Sequence, residues 1–229
     1  MDKEYVKRLE KVIQQVLKPL KNIPFNVVIQ TISGNRVIPF NRKNSNDRAL
    51  LQKLRKAARL AGLHINREPI FRARANEVGN DIEPYIQEAL QKVGYPAQVP
   101  KTRGGSKKGA GYPDIEFKDE FQRTNYLECK TYNIENISTT QRSFYFSPSE
   151  KFKVTRDGHH FILSYEMYVD GRKNRKNIYR CRHWKILSIE KLLVDLKHEF
   201  NCDNRRLYAD GFLLAEGDLK GRKPAKRKK

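Results

Sequence analysis

Asp114, in Tyr112-Pro113-Asp114, stands fourteen residues ahead of Glu128, in Glu128-Cys129-Lys130. Two carboxylates and an ammonium brought to one point can hold a hard divalent cation, place a water and stabilise a phosphorane-like transition state. The stretches Asp114 to Phe117 and Tyr126 to Thr131 read as strands, with Lys118 to Thr124 as the turn between them. Alternate residues of a strand share a face, so Glu128 and Lys130 point one way and Cys129 the other. Cys129 then packs into the core, and its carbonyl is a third oxygen for the cation beside Asp114 and Glu128. Magnesium suits such a site because it takes oxygen ligands and keeps several waters. Manganese is the expected substitute. Lys130 is placed to position the water and steady the transition state.

The elements that must position these groups show as patterns of apolar residues. Leu9, Val12, Ile13, Val16, Leu17 and Leu20 fall at helical spacing, up to a stop between Pro19 and Pro24. Phe25 to Ile32 reads as a strand, Ser33-Gly34-Asn35 as a turn, and Val37 to Phe40 as the returning arm of a hairpin. A second helix is expected from Asn46 to Ala61, with Gly62 at its C′ position. The third runs from Asn80 or Asp81 to Gly94, which leaves Pro84 in the tolerated first turn. Later come a hairpin, Phe161 to Val169 and Asn177 to Trp184, turning at Asp170-Gly171-Arg172, then a helix from Ile189 to Phe200 and a strand from Leu207 to Leu214.

The chain has 229 residues, and Lys plus Arg outnumber Asp plus Glu by 47 to 26, a net charge of +21. Charge of this size favours polyanionic partners. Lys220 to Lys229 carries seven of the positive charges, so the remainder is still at +14. That tail reads as a disordered polycation adding sequence-independent affinity. No apolar run approaches the roughly 20 residues of a membrane span. The opening residues lack a secretory signal, and three cysteines without a CxxC pair suit a reducing compartment, so the expected location is cytoplasmic.

Pro-Asp, a short spacer and Glu-x-Lys on adjacent strands resemble the PD-(D/E)xK nuclease superfamily. The small basic chain is most similar there to the type II restriction endonucleases. The resemblance covers about Glu77 to Val169. It implies an α/β fold: a restriction-endonuclease-like core with a mixed central sheet flanked by helices, here with an N-terminal helical and hairpin addition. The division expected is residues 1–70 as that addition, for dimerisation or DNA wrapping, 71–218 as nuclease core and 219–229 as basic tail. The implied activity is Mg2+-dependent hydrolysis of phosphodiesters in double-stranded DNA at a specific sequence, by a homodimer whose two-fold axis mirrors a palindrome. A structure-specific nuclease of the Holliday-junction-resolvase kind and a non-catalytic basic DNA-binding protein are the alternatives.

Many members of the superfamily add a glutamate from the preceding helix. Glu77, Glu83 and Glu88 are available, and at about 100° per residue Glu83 borders the apolar stripe centred near Ala89 and Ile82. Glu83 is therefore the first choice and Glu77 the second. DNA contacts are expected from Lys101, Arg103, Lys107 and Lys108 in the glycine-rich stretch, from Gln141, Arg142, Ser143, Lys151 and Lys153, and from Arg172 and Lys173 at the hairpin tip. Gln141 and Tyr145 also form the Gln-x-x-x-Tyr pattern of RecB-like nucleases, with ordinary packing as the other reading. His159 and His160 read as a solvent- or DNA-facing loop, and no cysteine–histidine spacing matches a structural zinc site.

Overall fold

A computed structural model describes residues 2–106, 111–140, 143–148, 152–197 and 205. The expected strand at Leu207 to Leu214, the tail and Cys202 lie outside these residues. So do Lys107, Lys108, Gln141, Arg142 and Lys151. The chain divides into two compact units, residues 21–195 and a second made of residues 1–20 with those from 196 onward.

In the second unit, α1 (Lys3–Val16) forms where the apolar spacing places it, with Asp2 as N-cap accepting the Glu4 amide at 3.1 Å. None of its side chains is buried.

The larger unit opens within β1 (Leu20–Pro24), continues through α2 (Phe25–Ser33), α3 (Ser45–Arg67), β2 (Ile70–Arg72), the short α4 (Val78–Asp81), α5 (Glu83–Lys92), β3 (Ala97–Gln98), β4 (Ile115–Lys118), β5 (Thr124–Tyr132), β6 (Gly158–Lys173) and β7 (Lys176–Ser188), and closes within β8 (Leu193–Leu196). Six strands form one mixed sheet in the order β2-β7-β6-β5-β4-β3, in which β5 and β6 run parallel and the other neighbours antiparallel. Strands β1 and β8 form a separate two-stranded ribbon.

Each face of the sheet has its own core. On one face, Leu127 and Cys129 of β5 pack with Leu50, Leu54 and Ala58 of α3 and with Ile86 and Leu90 of α5. On the other, Tyr126 of β5 and Ile162 of β6 join Phe25 and Ile29 of α2, Tyr112, Phe152 and Val154.

Four local expectations are corrected. The N-terminal hairpin is absent, because Phe25 to Ser33 is a helix that buries Phe25, Ile29 and Ser33 at fourfold spacing. Its first amide donates to Leu192 O at 2.8 Å, and β-branched residues do not prevent a helix whose buried face is well packed. Val37 bridges Gly158 instead of a local partner.

Next, Gly62 does not end α3. The helix continues to Arg67, and a Cβ at Gly62 would stand 3.3 Å from Tyr165 Cε1 and 3.4 Å from Cys181 Sγ. Glycine here lets α3 approach the sheet, and Tyr165 Oη donates to Ala58 O at 2.8 Å across the same contact.

The β6–β7 turn falls at Asn174-Arg175, both at positive φ (50° and 64°), the pair that a tight hairpin turn requires. Gly171 instead sits at a register shift within the pairing, so Arg172 and Lys173 are exposed residues of strand rather than of turn.

Finally, the expected helix from Ile189 is replaced by turn and strand β8, with Leu193 exposed. Apolar residues at i, i+1 and i+4 over so short a run fit either element.

Candidate active site

β4 and β5 are antiparallel neighbours with Ile115 opposite Leu127, which brings the residue before β4, Asp114, alongside Glu128 and Cys129. Cys129 N–H donates to Asp114 Oδ2 at 2.8 Å. Glu128 and Lys130 share the face opposite Cys129, and Lys130 Nζ lies 2.8 Å from Glu128 Oε1. Glu128 is only 5 % exposed, and its Oε2 is buried with no hydrogen-bond partner among the described residues. A buried carboxylate oxygen without a protein partner is costly unless a bound group completes it.

Charge crowding shows in the acid strengths. Burial, then the charge of Asp114, pushes the Glu128 carboxyl up to about 7, against the pull of Lys130 and Lys153. Burial also raises Asp114, opposed by the Cys129 amide and by the same two lysines. Cys129 is a free, buried thiol with its acidity suppressed by burial, the inert packing role expected for the middle residue.

The three helix glutamates separate cleanly. Glu83 opens α5 directly after the break at Ile82, with Pro84 in the first turn. Its carboxyl is raised by burial and by the charge of Asp114, and lowered by Lys153 and Lys130, so it shares their surroundings. Glu77 is exposed and sits 3.4 Å from the Arg74 amide. Glu88 is occupied elsewhere, by Lys92 and by His64 at 3.1 Å.

Several basic residues expected to meet DNA have other positions. Lys153 is 1 % exposed, and its Nζ donates to Pro113 O at 2.8 Å, against the turn that carries Asp114 rather than on a surface loop. The signal was its neighbours: Phe152 and Val154 are core-grade residues, and both are buried. Arg103 is exposed but its Nη2 donates to Ser33 O at 2.6 Å, at the C-terminus of α2. Lys101 and Ser143 are exposed. Tyr145 is exposed too, with Lys130 Nζ 5.9 Å from its ring centre.

His159 and His160, read as a loop, are both 1 % exposed within β6. His160 Nδ1 lies 2.6 Å from Tyr112 Oη, and the two rings stack at 5.9 Å. Burial first, and His159 second, lower His160 to about 3, so its imidazole is neutral. The stack buttresses the Tyr112-Pro113-Asp114 turn from behind, a role the sequence pattern did not announce.

The donor set, two carboxylates, fits a hard divalent cation that takes oxygen ligands. Among the described residues no group of three or more His, Cys, Asp or Glu side chains converges as a ligand cluster. Two carboxylates with one orphaned oxygen are what an ion that retains most of its waters uses.

A mixed sheet flanked by helices, with paired carboxylates and a lysine at the meeting of two neighbouring strands, is a restriction-endonuclease-like core. Residues 7–211 match the model of the type II restriction enzyme MjaV family. A curated relative, Type II restriction enzyme MjaV of Methanocaldococcus jannaschii, is 37% identical over 234 residues, 96% of this chain and 99% of the relative. No solved structure matches the chain. The chain belongs to the MjaV family of type II restriction enzymes. It is a sequence-specific endodeoxyribonuclease. No helix among the described residues is long and apolar enough to cross a membrane.

Proposed function

We propose that this restriction endonuclease hydrolyses its phosphodiester with magnesium held by Asp114, Glu128 and the Cys129 carbonyl, in the PD-(D/E)xK manner. The observation that carries the proposal is the buried, unpartnered Glu128 Oε2 beside an Asp114 tied to the same strand. When bound, a hard divalent cation neutralises charge on the phosphate and lowers the pKa of water. Lys130, on the Glu128 face and partly open to solvent, orients the attacking water and offsets the added negative charge. Glu83, which shares the surroundings of Asp114, Lys130 and Lys153, would accept a hydrogen bond from a water at the margin of the site. Burial raises the Asp114 carboxyl, and a cation held beside it would favour its ionised form.

A homodimer completes the reading, since one site cuts one strand and a palindrome calls for two sites related by a two-fold axis. The setting is the cytoplasm, where the DNA is met.

Incubation with plasmid DNA tests the mechanism. With magnesium or manganese, the protein yields a fixed set of bands; with chelator, none. Calcium supports binding but little cutting, because its looser coordination places the water poorly. Full cutting after exhaustive chelation overturns the metal reading, and a sedimentation mass of one chain at working concentration overturns the dimer.

A further inference from the structure

Lys153 sits where a lysine is expensive to keep. An ammonium withdrawn from water persists only with charge partners and hydrogen bonds. Lys153 has both: its Nζ donates to the carbonyl of Pro113, the residue before Asp114, at 2.8 Å. Its charge also reaches Glu83, Asp114 and Glu128.

The segment that carries it, from Phe152 to Arg156, is fastened at several points. Phe152 and Val154 are buried in the second core. Asn35 Nδ2 donates to Val154 O at 3.2 Å. The amides of Thr155 and Arg156 both donate, at 3.1 Å, to Tyr126 Oη. Tyr126 stands two residues before Glu128 on the same face of β5. The strand bearing one carboxylate thus anchors the segment whose lysine grips the turn bearing the other.

We propose that Lys153 is a second active-site lysine, a positioning residue that fixes the Pro113–Asp114 turn and balances the carboxylates from inside the protein without touching DNA. The proposal rests on the reading of Asp114 and Glu128 as metal ligands. Lys130 and Lys153 then divide the work. The first faces the scissile phosphate, and the second is sealed behind the carboxylates. A purely anionic pocket would hold its cation and repel the phosphate; a buried ammonium tempers that repulsion while keeping the turn in register.

The test uses the full chain with Lys153→Met, Lys153→Gln and Lys153→Arg, and Asp114→Ala as control. Single-turnover cleavage is followed at saturating DNA over a range of magnesium concentrations. DNA affinity is measured in calcium over a range of salt. Loss of a group that orients metal ligands typically lowers metal affinity or activity by roughly 10–100-fold. The Met and Gln variants are expected to lose that much in rate constant, with the Arg variant recovering part of it and DNA affinity in calcium unchanged.

A lysine serving only the fold would instead reduce the active fraction, seen as a smaller amplitude at an unchanged rate constant. A lysine contacting phosphate would lower the salt slope by about 0.9. Either result overturns the proposal, as does failure of both neutral variants to fold. If Asp114→Ala still cuts, the ligand reading itself has failed. If Asp114→Ala is dead while folded Lys153→Met cuts at the wild-type rate, only the role of Lys153 falls.

Discussion

Asp114 Oδ2 accepts the backbone amide of Cys129 at 2.8 Å, so the first carboxylate is tied to the strand that carries the second. Side chains fourteen residues apart in the chain are therefore held in one geometry by a charge-assisted hydrogen bond, about twice as strong as a neutral one.

Substitutions that keep shape and remove charge should separate chemistry from folding. Asp114→Asn, Glu128→Gln and Lys130→Met are each expected to lower the single-turnover rate by roughly 10²–10³-fold or more while leaving the circular dichroism spectrum unchanged. A folded Lys130→Met protein that cuts at nearly the wild-type rate would remove Lys130 from the site.

Among the helix glutamates, Glu83→Gln should slow cleavage and the other two should not. Glu88→Gln breaks contacts with His64 and Lys92 at the surface and should leave the cleavage rate unchanged. Glu77→Gln removes a weak contact with the Arg74 amide. Parallel rate measurements decide, and a dead Glu77→Gln with an active Glu83→Gln would transfer the role to the turn before α4.

Glu128 makes the metal-free protein sensitive to pH in a defined direction. Its folded-state carboxyl titrates at about 7, above the ordinary 4.5, so the folded chain holds this proton more tightly than the unfolded chain. The penalty is absent below about 4.5, grows between there and 7 and is complete above 7, on the order of a few kcal/mol at most. In chelator, Glu128→Gln should therefore melt higher than wild type at pH 8, with the gap shrinking toward pH 5. Magnesium should narrow the gap at pH 8 by favouring the ionised carboxylate. Equal melting differences at the two pH values would show that Glu128 titrates normally.

Gly158 opens β6 under the tightest contact of any glycine described. A Cβ there would lie 2.7 Å from Thr124 O and 3.1 Å from Tyr126 Cε2. Because the first obstacle is backbone in a paired strand, the alanine variant should force β5 and β6 apart and lose roughly 1–3 kcal/mol or more. Thermal melting of Gly158→Ala measures this, and a melting temperature equal to wild type would mean that the sheet yields freely.

Much of the placement of these side chains was legible because its rule is local. Strand alternation alone puts Glu128 and Lys130 on one face and Cys129 in the core, and helical phase alone favours Glu83 over Glu88. Lys153 was misread because it looked like one more base in a polar loop; its burial follows from Phe152 and Val154 seating in a core that forms only when α2 arrives. His159 and His160 were misread for a related reason, since β6 begins earlier than its apolar run, where Gly158 meets Val37 and Thr124.

By itself the sequence determined the order of the chemical groups, the strand–turn–strand that carries them and the strongly basic balance, because these depend on composition and on periods of two or 3.6 residues. Tertiary structure decided whether Phe25 to Ser33 is helix or strand, whether Gly62 ends α3 or admits the sheet, and which lysine stands behind the carboxylates. Those choices turn on which surfaces meet across long stretches of chain. A short apolar run gains nearly the same burial as helix or as strand, so the partner that covers it selects the conformation.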